Sequence, residues 1–100
     1  MKQNKHFDYI LSLIDRFQKK YIDGEELGTL FNYYCGKYFD WKKLKSPYVD
    51  FIQDLDELLS RYEPIEKIRN EYPNYFIDKD ILFKELQMLK NELKHILEKE

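Results

Sequence analysis

The chain has 100 residues, of which 43% are hydrophobic and 36% are charged, and its formal net charge at pH 7 is −2. This length allows one hydrophobic core, so we expect a single domain over residues 1–100. The apolar content is too high for a disordered chain, no apolar run approaches the roughly 20 residues that span a bilayer, and a single cysteine excludes an intramolecular disulfide. These features predict a cytoplasmic protein without a membrane segment.

The first part of the chain predicts two amphipathic helices. Apolar residues recur at helical spacing from about His6 to Tyr21. The residues expected on the buried face are Phe7, Ile10, Leu11, Ile14, Phe17 and Tyr21. Asp23 is expected to cap a second helix that runs to about Phe39, with Glu26 reaching back in a capping box. Its expected buried residues are Leu27, Leu30, Phe31, Tyr34 and Tyr38.

A third helix is predicted after a lysine-rich loop. Ser46 is expected to cap this helix and Pro47 to occupy its first position, where the missing N–H costs nothing. The helix runs to about Tyr62, and its buried face consists of Phe51, Leu55, Leu58 and Tyr62. Pro64 then disrupts helical geometry, so residues 65–73 are predicted to form a short helical turn or an irregular crossing.

The last helix completes an all-α pattern. Asp78 is expected to cap it, with Ile77 and Leu82 placed for a hydrophobic staple. Its expected buried residues are Leu82, Leu86, Leu89, Leu93 and Ile96. Sustained alternation of apolar and polar residues, which is typical of strands, does not occur. We therefore predict an all-α fold, specifically an antiparallel four-helix bundle.

Negative charge is concentrated on the third helix and the turn that follows it. Between Ser46 and Glu66 there are six acidic residues and one arginine, a net charge of −5. Asp50, Asp54 and Glu57 form a stripe of like charge, which destabilises an isolated helix by a few tenths of a kcal/mol per pair. This stripe indicates either a binding surface for a basic partner or an ordinary solvated face. The predicted partner-binding residues are Asp50, Asp54, Asp56, Glu57, Tyr62, Glu63 and Glu66.

No group of residues predicts catalysis or a bound cofactor. His6 and His95 lie near opposite ends of the chain without companions at metal-ligand spacing, so we expect surface histidines. Cys35 lies among tyrosines with Lys37 as the only nearby base, which favours a small core or boundary residue over a reactive thiol. The glycines form no phosphate-binding loop. We expect no enzymatic activity, no metal and no cofactor.

Two other functions remain open. Trp41 beside Lys42, Lys43 and Lys45 is the combination with which some proteins hold single-stranded nucleic acid. The acidic overall balance and the presence of only three arginines favour a solvated loop with Trp41 anchored in the core instead. Alternatively, a tyrosine-rich face would join two copies of the chain.

Three groups of segments follow the order of helices and turns in a known family. They are residues 14–17 with 21–27, residues 54–59 with Tyr62-Glu63-Pro64, and residues 77–80 followed by Leu82 and Leu86. In this order the chain resembles the colicin D-type immunity family, small helical inhibitors that protect a bacterium from its own nuclease toxin. The departures from the family are the loop at residues 42–45 and the long connection at residues 67–75.

The resemblance implies a four-helix bundle that binds a cognate toxin tightly, with its acidic surface in a basic RNA-binding cleft. The resemblance implies that the family's role in toxin contact belongs to five residues of the predicted surface, namely Asp54, Asp56, Glu57, Tyr62 and Glu63. We therefore predict an immunity protein that inhibits a basic toxin domain such as a tRNA-cleaving nuclease. Neither nucleic acid nor a membrane is an expected partner, and the free protein is expected to be a monomer or a weak homodimer. The alternative is a small helical nucleic-acid-binding or regulatory module.

Overall fold

A computed structural model describes residues 2–99, with side chains from residue 5 onward. These residues form the helices α1 (Lys2–Gln18), α2 (Gly24–Tyr38), α3 (Ser46–Arg61), α4 (Glu66–Glu71) and α5 (Lys79–Glu98). Within the described range no strand forms, and one isolated bridge joins Tyr62 to Ile77. The prediction of an all-α fold is confirmed for this part of the chain.

The four longer helices enclose one hydrophobic core. α1 packs against α2 and α5, and α3 packs against the same two helices, most extensively against α5. Their apolar faces meet in a single cluster of buried side chains, to which α4 contributes none. Examples from each of the four helices are Phe7, Leu27, Phe51 and Leu86. The helical spacing of apolar residues thus correctly predicted most of the core.

The end of α1 differs from the prediction. The helix ends at Gln18, and Lys20 has a left-handed backbone with φ of 67°. The Tyr21 N–H donates to the Arg16 carbonyl at 2.9 Å and the Lys20 N–H donates to the Phe17 carbonyl at 3.0 Å. This is the hydrogen-bond pattern of a Schellman turn, which directs the chain away from the helix. Tyr21 is consequently 76% exposed, so its predicted place in the core is wrong.

Two of the three predicted N-caps are confirmed. The Asp23 carboxylate accepts a hydrogen bond from the Glu26 N–H at 2.8 Å, and the Asp78 carboxylate accepts one from the Ile81 N–H at 2.9 Å. The third prediction is wrong by one residue. Lys45 is the N-cap of α3 and makes no side-chain capping bond, while Ser46 is the first helical residue. Proline therefore occupies the second position, where its missing N–H still has no intrahelical partner to lose.

Aromatic side chains around the end of α2 are more exposed than predicted. Tyr38 is 48% exposed and Trp41 is 47% exposed, so neither is anchored in the core. His6, expected at the surface, is half-buried instead. A hydrogen bond of 2.8 Å joins His6 Nδ1 to the Tyr34 hydroxyl, and the His6 ring meets Phe39 edge to face. His6 therefore helps to hold the end of α2 against α1.

The connection from α3 to α5 is fixed at both of its ends. The Ile77 N–H donates to the Arg61 carbonyl at 2.8 Å, and the Glu63 N–H donates to the Ile77 carbonyl at 3.1 Å. Arg69 spans the enclosed segment, because its Nη1 donates to the Glu63 carbonyl at 2.7 Å. These bonds bring the last turn of α3 close to the first turn of α5. The predicted short helical turn at residues 65–73 is α4.

Candidate functional site

The acidic residues of α3 point in two directions. Successive residues of an α-helix are rotated by about 100°, so Asp50, Asp54 and Glu57 lie along one line, whereas Asp56 lies on another side of the helix. All four side chains are exposed. Asp54 and Glu57 face α5, and Asp56 faces α2. Asp54 and Glu57 therefore line one groove and Asp56 lines another, and the two grooves flank the exposed ridge of α3.

The first groove lies between α3 and α5. Its lining residues are Asp54, Glu57, Leu58 and Arg61 from α3 with Glu85 and Leu89 from α5. We call this set the acidic groove. It has a volume of about 230 Å³, below the roughly 300–1,000 Å³ of pockets that enclose drug-sized ligands. Three carboxylates and one guanidinium line it, so its charge is negative.

The carboxylates of the acidic groove form no ion pair with any side chain that the structure describes. Among the side chains that the structure describes, the ion pairs join Lys90 to Asp15 and Lys43 to Asp40. Arg61 is engaged elsewhere, because its Nε donates to the Tyr75 carbonyl at 2.8 Å and its guanidinium lies 5.8 Å from the centre of the Tyr75 ring. The groove consequently presents negative charge to solvent.

Glu85 is part of this groove, and the sequence pattern did not single it out. It lies on α5 directly before the buried Leu86 and four residues before Leu89, at the edge of the buried face. That position can be inferred from helical spacing. Which neighbouring helix Glu85 meets depends on the packing of α3 against α5, and the sequence alone does not give this.

Tyr62 and Glu63 are occupied by contacts within the protein. The Tyr62 ring covers Gly24, where a Cβ atom would come within 2.5 Å of the ring. Burial raises the pKa of Tyr62, as do the nearby carboxylates of Asp23 and Glu25. The half-buried Glu63 accepts a hydrogen bond from the Ile65 N–H at 3.2 Å. Both side chains stabilise the end of α3, so they supply less free surface than the stripe.

Glu66 lies apart from both grooves. It is exposed in the first turn of α4, beyond the turn that Tyr62 and Glu63 form. The seven predicted residues thus occupy three places on the surface. Asp50, Asp54 and Glu57 form the stripe, Asp56 belongs to a separate groove, and the last three surround the connection to α5.

The second groove lies between α2 and α3. Its lining residues are Phe31, Asn32 and Cys35 from α2, Trp41 from the following connection, and Ile52, Gln53 and Asp56 from α3. We call this set the Trp41 groove, and its volume is about 200 Å³. Cys35 is buried at its base, as predicted. Burial, with a smaller effect of the Asp56 charge, raises the pKa of Cys35 to about 12, so the thiol is neutral and unreactive.

Asp40 organises the basic loop beside Trp41. The Lys42 N–H donates to the Asp40 carboxylate at 3.2 Å, and the Lys43 ammonium lies 3.9 Å from it. Trp41 packs against Phe39 at 5.8 Å between ring centres, yet about half of its side chain faces solvent. The loop therefore presents an aromatic ring next to exposed lysines.

Other kinds of site find little support in the described part of the chain. Among those residues, no group of three or more His, Cys, Asp or Glu side chains could hold a metal ion. None of the described helices has the length and apolar character needed to cross a membrane. Comparison of the chain with protein-family models, with curated proteins and with solved structures finds no match.

Proposed function

We propose that the chain is an immunity protein, which binds and inhibits a cognate bacterial toxin through the acidic groove and the adjoining α3 stripe. The toxin in this proposal is a basic nuclease domain such as a tRNA-cleaving enzyme. The observation that carries the proposal is the acidic groove, where Asp54, Glu57 and Glu85 form no ion pair among the described side chains. The proposal includes an antiparallel four-helix bundle that acts in the cytoplasm as a monomer or weak homodimer when free.

The geometry of the stripe supports this proposal. Stripe carboxylates recur about once per helical turn, so they are spaced by roughly 5.4 Å along a rigid axis. A nuclease cleft binds successive phosphates with lysine and arginine side chains. A regular row of carboxylates on a preformed helix suits such a cleft, because little conformational freedom is lost on binding. The acidic groove is also smaller than the roughly 300–1,000 Å³ of pockets that enclose drug-sized ligands, which favours contact with a protein surface.

The toxin encoded by the neighbouring reading frame provides the test. Its purified catalytic domain is mixed with increasing amounts of the chain, and cleavage of tRNA is measured. We expect inhibition to be complete near equimolar amounts. The double variant Asp54→Lys with Glu57→Lys is expected to need a much larger excess over the toxin to reach the same inhibition.

A matched control distinguishes the effect of changing the groove from the effect of changing the overall charge. Asp8→Lys with Glu98→Lys changes the net charge equally at exposed positions of α1 and α5. This control is expected to inhibit like the unmodified chain. The proposal fails if both double variants inhibit equally, or if the adjacent gene encodes no toxin.

A second candidate function is binding of single-stranded nucleic acid by the loop at residues 41–45. The observation in its favour is that Trp41 is half-exposed beside the exposed Lys42 and Lys43. A gel-shift experiment with single-stranded RNA at low salt tests it. Retention that is lost in the variant Lys42→Ala with Lys43→Ala supports this function, and free migration of the RNA rejects it.

A further inference from the structure

The Trp41 groove combines an apolar floor with a polar rim. Phe31, Cys35 and Ile52 are buried side chains of the core, so the part of each that reaches the groove forms a floor without charge. The half-exposed ring of Trp41 contributes one wall. The rim consists of the exposed Asn32, Gln53 and Asp56. An occupant therefore needs an apolar stem and a polar end.

The charge of the groove specifies that polar end. Among the described residues that line it, Asp56 is the only charged one, and neither lysine nor arginine is present. The thiol of Cys35 stays neutral because burial raises its pKa to about 12. The groove thus has a single negative charge at its rim, and the half-exposed indole ring of Trp41 lines the same groove. A cation satisfies both features, since it pairs with the carboxylate and is attracted to the aromatic face.

We propose that the Trp41 groove receives one arginine side chain of the partner protein, with its methylene stem on the apolar floor and its guanidinium between Trp41 and Asp56. This inference rests on the proposed function, which supplies a basic protein as the partner. Arginine fits better than lysine, because a planar guanidinium stacks on an indole and pairs with a carboxylate through two parallel hydrogen bonds. The side-chain oxygens of Asn32 and Gln53 are available for its remaining N–H groups.

The size and position of the groove agree with a single side chain. About 200 Å³ is less than the roughly 300–1,000 Å³ that a drug-sized ligand requires. The Trp41 groove and the acidic groove lie on either side of the α3 ridge, which is about 10–12 Å across. One partner surface can therefore contact both grooves. Arginine and tryptophan are also enriched among the residues that dominate binding energy at interfaces.

The only tryptophan of the chain reports directly on this groove. The purified full-length chain is titrated with N-acetyl-arginine amide while Trp41 fluorescence is recorded under excitation that tyrosine does not absorb. NMR spectra of the Asn32 and Gln53 side-chain amides locate the binding. We expect a saturable fluorescence change and shifts confined to this groove. N-acetyl-lysine amide is expected to bind more weakly.

Two variants provide the comparison. Asp56→Asn removes the charge of the groove and is expected to weaken binding of the arginine amide by about tenfold, since a charge-assisted hydrogen bond is lost. Glu92→Gln removes one charge from an exposed position of α5 outside both grooves and is expected to leave the affinity unchanged. Circular dichroism verifies that both variants are folded.

Several results would overturn the inference. They are a fluorescence change that does not saturate, equal binding by the lysine amide, and an Asp56→Asn variant that binds like the unmodified chain. A stronger response to adenosine monophosphate would overturn it in favour of nucleic acid. None of these experiments contains the toxin, so their failure leaves the toxin-inhibition test to decide the proposed function independently.

Discussion

Helix α5 packs against α1 along one seam and against α3 along another. Charged side chains are paired across the first seam, whereas the described carboxylates at the second are not. Toward α1, the Lys90 ammonium donates to the Asp15 carboxylate and, at 3.1 Å, to Gln18 Oε1. Gln18 Nε2 donates in turn to Gln87 Oε1 at 2.9 Å. Toward α3, the carboxylates of the acidic groove face one another across α3 and α5 without an ion pair among the described side chains.

The difference between the two seams shows that helix packing alone does not require facing carboxylates to be left without a base. The α1 seam demonstrates that this chain places a base opposite an acid where two helices meet. In the acidic groove, Arg61 is close enough to line the same cleft, yet its Nε bonds to the Tyr75 carbonyl of the following connection. The carboxylates of the acidic groove, which pair with no described side chain, therefore contribute little to the fold. This makes the α3 seam the better candidate for a surface that a cationic partner covers.

The largest expected effect is on binding of the toxin domain. The double variant Asp54→Lys with Glu57→Lys is expected to weaken the affinity by on the order of 100-fold, because two attractive contacts become repulsive. Lys90→Met, in the other seam, is expected to leave the affinity unchanged. Isothermal titration calorimetry measures both. Equal losses of affinity in the two variants would contradict a special role in binding for the seam between α3 and α5.

The second effect is on stability. Here a change in the seam between α1 and α5 is expected to have the larger effect. Lys90→Met removes both hydrogen bonds of a half-buried ammonium, so we expect the free energy of unfolding to fall by about 1–2 kcal/mol. Lys84→Met is the control, since Lys84 is exposed on the same helix. Urea denaturation gives both values. A loss in the control equal to that of Lys90→Met would mean that the network does not stabilise the fold.

The third effect concerns how the unfolding free energy changes at acidic pH. The hydrogen bond from Lys90 holds the pKa of Asp15 below its ordinary range. The stability that this pair supplies is therefore present above the ordinary aspartate pKa and is lost as the pH falls through the lower pKa of the folded state. We expect the unfolding free energy of the Lys90→Met variant to depend less on pH in this acidic window. Parallel denaturation series at several pH values test it, and identical pH profiles would contradict it.

The smallest effect is a gain in stability. Asp54→Lys converts two repulsive pairs on α3, with Asp50 and with Glu57, into attractive ones. We expect the unfolding free energy to rise by about 0.5 kcal/mol while toxin binding weakens. Thermal denaturation beside the binding assay checks both. A variant that lost binding and stability together would indicate that the stripe belongs to the fold.

Local signals in the sequence predicted much of the architecture. Asp23 and Asp78 cap helices because a short acidic side chain before an apolar repeat reaches the free N–H groups of the first turn. The cap at Ser46 was wrong because the start of α3 is set by the Lys45 carbonyl, which accepts from the Val49 N–H at 3.1 Å. Such one-residue shifts depend on the tertiary path of the preceding loop.

Features that depend on contacts between helices could not be predicted. Tyr48 and Ile52 are buried although neither is on the apolar face of α3 that the sequence predicts, because α3 is covered by both α2 and α5. The stripe of Asp50, Asp54 and Glu57 was visible from spacing. Its partner Glu85 and the separation of Asp56 into another groove appear only when the neighbouring helices are in place.

The salt dependence of association tests the acidic groove most directly. Association rates of the chain with the toxin domain are measured by stopped flow over a range of ionic strengths. For the unmodified chain we expect the rate to fall steeply as salt rises, because exposed charges are screened beyond roughly 8–10 Å. The Asp54→Lys with Glu57→Lys variant is expected to show a much flatter dependence, and the same slope for both proteins would contradict an anionic binding surface at this groove.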